Sequence, residues 1–451
     1  MTPITRSRFR PRYPSSSFAP GLLFLAGEQG AWYDPSDLST LFQDTAGTVP
    51  VTAVEQSVRL MRDKSGRGNH ATAPSDAARP VLRARYNLTT YSEQFNNVAW
   101  TKTRSSITAN AAVAPDGALT ADKLVEDTTA SASHSLLSAV ITVAAASVTT
   151  VSVYVKAAER TWCRIADGGV SNGGAFVNLS TGQFGTIESG VVSSSIQNVG
   201  NGWYRVTISG VLAGTSSQIV VQLATGNGAV SYTGNGTSGI FIWGFQLVTA
   251  ADNTSIGGKY QRIASATDYD TSGFLPYLAY NGTNSSMSTS AIDFTGINKM
   301  SVFAGITKLS DAAQAVVAEL SATIATNNGS FLLTAPNSAA ANYNFSSKGT
   351  TQVDNTVTTY RAPITNVVTG LADIGAPSNI VRVNGVQTGS SASSQGTGNF
   401  GNYALFIGGR NNTSLRLNGR LYGLIVRGAA TSAAQVTSTE RWLAGGAGVT
   451  I

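Results

Sequence analysis

Cysteine is nearly absent: Cys163 is the only one in 451 residues, so no internal disulfide can form and the fold must stand on packing. Histidine is almost as scarce, with only His70 and His134. A Ser–His–Asp triad would have to recruit one of them, and no G-x-S-x-G turn presents a serine. No H-E-x-x-H, no paired Cys/His spacing and no G-x-x-x-x-G-K-[ST] loop occurs, which removes the usual zinc and phosphate signatures. Charge is short too, at 12% of residues against about 25% in ordinary domains. Carboxylates such as Glu188 and Glu319 stand alone in the sequence and do not make the pair that glycoside hydrolysis requires. Apolar runs are short. The uncharged run through Leu136–Val155 is broken by Ser and Thr at strand-like intervals and is no membrane span. The apolar part of Gly21–Ala26 falls below the ~7–15 residues of a signal-peptide core. The expectation is a protein without catalytic residues, cofactor or membrane insertion.

What is present points one way. The 47 glycines, with abundant Ser, Thr, Ala and Asn, suit short strands joined by small-residue turns. Hydrophobics at 42% and aromatics at 8% are enough for packed cores, so the chain is expected to be all-β, in two or three domains. The net charge of +6 is unevenly spread. Arg6, Arg8, Arg10 and Arg12 alternate among Pro3, Pro11, Pro14 and Pro20, which reads as an extended basic arm over residues 1–20. Extended, it would set its guanidiniums about 6.5–7 Å apart on one side, with Phe9 on the other. Arg6, Arg8, Phe9, Arg10 and Arg12 are therefore the expected anchoring residues. Arg59, Arg62, Arg67, Arg79, Arg83 and Arg85 crowd a later segment, either as solvated loops or as a docking face for an acidic partner. No helix or interleaved aromatics would read bases, so specific nucleic-acid binding is not expected.

Along the chain, Gly21–Ala26 reads as a strand, and Asp63 to Asn69 (DKSGRGN) as a tight turn with positive φ at Gly66 and Gly68. Asp63 and Asn69, with His70, are the alternative candidates for a metal, although calcium wants about six to eight oxygens. Val148 to Lys156 alternates as a strand, Gly168 to Gly185 is a hairpin pair, and Asn379 to Gly385 is a strand entering an Asn-Gly hairpin turn. Near the end, Tyr403–Ile407 is a short strand and Gly408-Gly409-Arg410-Asn411-Asn412 a turn. Leu415 to Val426 alternates as a strand with one buried face, and Thr431-Ser432 precede a helix over Ala433 to Leu443.

The closing order "VNG", "LFIGGR", "NGRLYGLIVR", "TERWL" resembles the end of a laminin-G-like, concanavalin A-like jelly roll. The opening series "WYDPSDLSTLFQD … V.LM.DKSGRGNHA … RPVL" is similar to the start of many tailed-phage structural proteins with that fold. Between them, "F…W … SVYVKA … FVNLSTG … NGWYRVTI … IFIWGFQL" resembles the carbohydrate-binding-module-like jelly rolls of phage tail and fibre proteins. The implied architecture is two β-sandwich (jelly-roll) domains with an extended N-terminal arm and a short C-terminal helix. One sandwich, concanavalin A-like, is discontinuous over residues 21–86 and 267–451. The other is carbohydrate-binding-module-like and inserted at residues 87–266.

The resemblance implies a structural protein of a bacteriophage virion, a tail fibre or adhesin attaching to host-surface glycan. A head-decoration or head-fibre protein on the capsid is the alternative, and a polysaccharide-degrading spike a third. Other virion proteins of tail or capsid are the implied partners, and a homotrimer the implied assembly. Sugar rings stack on aromatic faces flanked by hydrogen bonders, and on that ground Trp162 between Arg160 and Arg164 is the leading ligand-binding candidate. Tyr232 and Tyr343, read in polar loops, come next. Trp203, Trp243 and Trp442 are expected in cores.

Overall fold

The computed structural model describes residues 18–451, so Arg6, Arg8, Phe9, Arg10 and Arg12 lie outside the described residues. The protein is all-β, and it divides into two compact units. One combines the residues up to Ala84 with Thr271–Ile451; the other is Arg85–Asp270.

The first unit is a sandwich of an eight-stranded and a nine-stranded sheet. At the centre of the eight-stranded sheet, Lys299–Lys308 pairs antiparallel with Ile364–Asp373 on one side and Asn418–Arg427 on the other. The nine-stranded sheet runs through Met287–Asp293, Asn402–Ile407 and Val316–Leu320 to Asn342–Lys348 and Gln352–Thr358. Val302, Ile306, Val368 and Leu421 meet Met287, Val317, Phe331, Phe345 and Leu405 in the core between the sheets. A helix, Ala433–Ala447, covers the other face of the eight-stranded sheet with Val436, Trp442 and Leu443. Sequence pattern and fold agree at the hairpin Ser378–Val383 to Val386–Ser391, whose turn places Asn384 at φ 49° and Gly385 at φ 81°.

Two expectations fail here. Gly21–Ala26 is no strand: Pro20–Phe24 is a 3-10 helix, because Pro20 presets the first helical φ and Leu23 and Phe24 pack beside Trp32 and Trp442. The strand expected from Leu415 begins only at Asn418, since Leu415 is itself a turn residue at φ 49°. That strand is also buried on both faces rather than one. A register shift inserts Tyr422 opposite the Gly305–Ile306 step, so Leu421 and Leu424 both reach the sandwich core while Ile425 meets the helix.

The second unit is a sandwich of two six-stranded sheets. One has the order Val191–Gly200, Trp203–Val211, Val148–Ala157, Gly239–Thr249, Ala121–Glu126, Ser105–Ala112. The other runs Gln183–Ile187, Gly174–Asn178, Trp162–Asp167, Ile219–Ala224, Ser135–Leu137, Thr101–Thr103. Val151, Val153, Val155, Val206 and Ile208 face Cys163, Ile165, Val177, Val221 and Leu223 across the core. Phe95, Trp100 and Phe245 plug one end with ring centroids 4.3–5.3 Å apart. Burial pushes the Cys163 thiol up to about 12, which leaves it an inert packing group.

Candidate functional site

The expected ligand residues are placed as follows. Trp162 and Arg164 share the outer face of one strand in the second unit, since Cys163 and Ile165 point inward. Trp162 is half-buried. Arg164 is engaged internally, bidentate on Glu188 at 2.5 and 2.7 Å and donating to Gln222 Oε1 at 2.8 Å. Arg160 and Tyr232 come together, but on a buried partner: Glu126 accepts two bonds from Arg160, the Tyr232 hydroxyl at 2.7 Å and the Asn235 amide at 3.0 Å. The Arg160 guanidinium also lies 5.0 Å from the Tyr232 ring centroid. Desolvation would raise the Glu126 pKa, yet these donors outweigh it and hold the carboxyl below its ordinary range. Tyr343 is a correction. It sits in the strand Asn342–Lys348 of the first unit, fully buried, with its hydroxyl accepting from Asn366 Nδ2 at 2.9 Å. Asn342, Asn344 and Ser346 looked like loop composition, but each is a buried hydrogen-bonded strand residue.

Asp63 acts as the hub of its turn. Its carboxylate accepts from the amides of Trp32, Ser65 and Asn69 and from the Ser65 hydroxyl, at 2.7–3.0 Å. Gly66 and Gly68 take positive φ as expected. Asn69 donates its side-chain amide to the Gly30 carbonyl at 2.7 Å.

A site that residue inspection did not single out lies on the outer face of the other sheet of the second unit. Because Val151, Val153 and Val155 turn inward, Thr150, Ser152 and Tyr154 turn out. Register places Ser152 beside Thr207 and Tyr154 beside Arg205, and on the next strand Ser195 beside Thr207 and Gln197 beside Arg205. The short helix Ala250–Ser255, capped by Thr249 on the Asp252 amide, and the Gly257–Gly258 exit raise a wall with Asn253. The groove so formed has a volume of about 300 Å³. Arg205 dominates its chemistry. Its Nη2 donates to Ser152 Oγ at 3.1 Å, its guanidinium sits 5.6 Å from the Tyr154 centroid, and its Nε is buried with no hydrogen-bond partner.

An aromatic group backs the groove. Tyr154, Trp243 and Tyr260 pack with centroids 5.1–5.8 Å apart. The Tyr260 hydroxyl is 2.7 Å from Ser92 Oγ and donates to Glu93 Oε1 at 3.0 Å. Burial pushes Glu93 up to about 7 against the opposing Tyr260 bond and the Arg262 charge. Trp203 and Trp243 are core residues, as expected, at 1% and 6% exposure. The groove floor is a row of hydroxyl, amide and guanidinium groups with no carboxylate in it, an arrangement that can hydrogen-bond a polyhydroxylated ligand. The signal for it was the polar half of the alternation in Val148 to Lys156.

No family model matches the chain, and no curated protein does. Among solved structures it is similar to the native heptameric SAP-like pentraxin from Limulus polyphemus, at 13% identity and TM-score 0.30, covering 36% of this chain and 80% of that one. It is similar also to the Ruminococcus gnavus IT-sialidase CBM40, at 14% identity and TM-score 0.27, covering 34% and 97%. Domain 4 of AbnA, a GH43 extracellular arabinanase from Geobacillus stearothermophilus, gives 17% identity and TM-score 0.29, covering 37% and 76%.

Proposed function

We propose that the chain is a non-enzymatic attachment protein of a tailed-bacteriophage particle, of the tail-fibre or adhesin kind, and that the Arg205 groove binds a host-surface glycan. The observation that carries the glycan reading is the unpartnered Nε of Arg205 in a groove floored by Thr150, Ser152, Ser195, Gln197 and Thr207. A buried donor without an acceptor is costly, by about 1–3 kcal/mol, and a ligand hydroxyl that reorders the guanidinium relieves it. The non-enzymatic reading is supported by Glu188 and Glu319, each locked to an arginine, Arg164 and Arg410. The virion assignment is supported by the sequence resemblance, and with it a trimer in which residues 1–20 anchor the protein.

Binding of purified protein to a panel of bacterial surface polysaccharides tests the groove. Arg205→Gln should lose that binding while the fold is kept, and full retention would overturn the reading. Deleting residues 1–20 should leave both sandwiches folded and remove the protein from particles. Normal loading of the truncated protein onto virions would move the anchor elsewhere.

A further inference from the structure

Most of the arginines crowded between Arg59 and Arg85 have internal partners. Arg59 and Arg79 lie 3.3 and 3.8 Å from Asp76, Arg83 pairs with Glu55 at 3.0 Å, and Arg67 donates to the Phe24 carbonyl at 2.6 Å. Arg85 donates to the Asn87, Leu88 and Thr89 carbonyls. Arg62 differs. Among the described residues its side chain has neither an ion pair nor a hydrogen bond; its guanidinium instead stacks 4.3 Å from the Phe42 ring centroid. Gly47 packs against it so closely that a Cβ there would come within 2.8 Å of Nη2. The adjacent carboxylate, Asp63, is turned onto the Trp32, Ser65 and Asn69 amides, and Asp44 onto those of Thr48 and Val49. The guanidinium of this exposed side chain is thus flanked by ring and backbone, with its donors unspent.

Arg62 lines a surface pocket of about 480 Å³ in the first unit, together with His70, Asn69, Thr45, Thr72 and Ser290. His70 is oriented as well. The Asp63 amide donates to its Nδ1 at 3.0 Å, so the neutral ring carries its proton on Nε2 as a donor. A guanidinium fork and an imidazole N–H suit an oxyanion, because charge-assisted hydrogen bonds are the strong ones. The remaining wall combines the hydroxyls of Thr45, Thr72 and Ser290 and the Asn69 amide with the apolar Ala46 and Leu60, and the pocket is larger than a bare ion needs.

We propose that this pocket binds an acidic monosaccharide unit, its carboxylate on Arg62 and His70 and its hydroxyls toward Thr45, Thr72 and Ser290. The site is separate from the Arg205 groove and does not rest on it. Isothermal titration of the full-length protein with sodium glucuronate, sodium phosphate and glucose tests it. Glucuronate should bind more tightly than either of the others, with affinity falling as salt rises. Arg62→Gln should weaken it about tenfold or more. His70→Gln should weaken it less. Unfolding curves of each variant separate lost binding from lost fold. No glucuronate binding, or binding that Arg62→Gln leaves intact, would overturn the site. Phosphate binding as tight as glucuronate would overturn the sugar and leave only an anion hole.

Discussion

Arg410 explains why the Gly408-Gly409 turn carries a charge at all: its Nε donates to Glu319 Oε2 at 2.8 Å, while the Ile324 amide donates to the other oxygen at 2.8 Å. Glu319 is fully buried, and burial pushes its pKa up against these donors. Removing the arginine would strand that carboxylate, so Arg410→Ala is expected to destabilise the first unit by about 3–5 kcal/mol, measured by denaturant unfolding. Glu93 makes a pH prediction. Its folded pKa, about 7, lies above the ordinary 4.5, so the native state holds an extra proton between those values. Stability is then full below that window and falls as pH rises through it, by an upper limit of about 3 kcal/mol that solvent at this half-buried group reduces. Glu93→Gln should flatten the slope between pH 4.5 and 7; an unchanged slope would place its origin in another group.

Among elements, the helix Ala433–Ala447 was the most legible. Ser432 closes a capping box with Gln435, and Gly448 ends the helix at φ 69°. Ser432→Ala should cost about 1 kcal/mol, read as a lowered unfolding midpoint. Its packing was less legible, because Trp442 meets Trp32 edge-on at 5.7 Å across 410 positions of chain. Strands showed their existence through alternation and their turns through Asn-Gly and Gly-Gly pairs. Alternation misled where a bulge inserted Tyr422, since one extra residue swaps the faces of everything beyond it. Composition misled at Tyr343, where polar side chains fill a strand interior because Asn344, Ser346 and Thr356 satisfy one another.

At the scale of the molecule, each unit has its own core, and the residues of one core all come from Arg85–Asp270. Excised residues 85–270 should therefore unfold as one cooperative transition and retain polysaccharide binding through Arg205. Circular dichroism with thermal melting checks the first expectation, and the polysaccharide panel the second. A molten or aggregated fragment would show that the unit depends on the rest of the chain.

The sequence alone determined the class of the protein: few charges, many glycines and period-two alternation leave little but antiparallel sandwiches, and Ser432 marks the helix start. Those are local properties, set by propensity and pattern within a few residues. Which polar groups remain free for a ligand was decided only in three dimensions. Arg160 and Arg164 looked available beside Trp162, and the fold spends them on Glu126 and Glu188. Arg205 looked like any other arginine and Arg62 like one of a crowd of six, and the fold leaves donors of each unpartnered. A charge is free or neutralised according to what distant strands bring beside it, and that proximity is a product of sheet register and turn geometry, which no local pattern encodes.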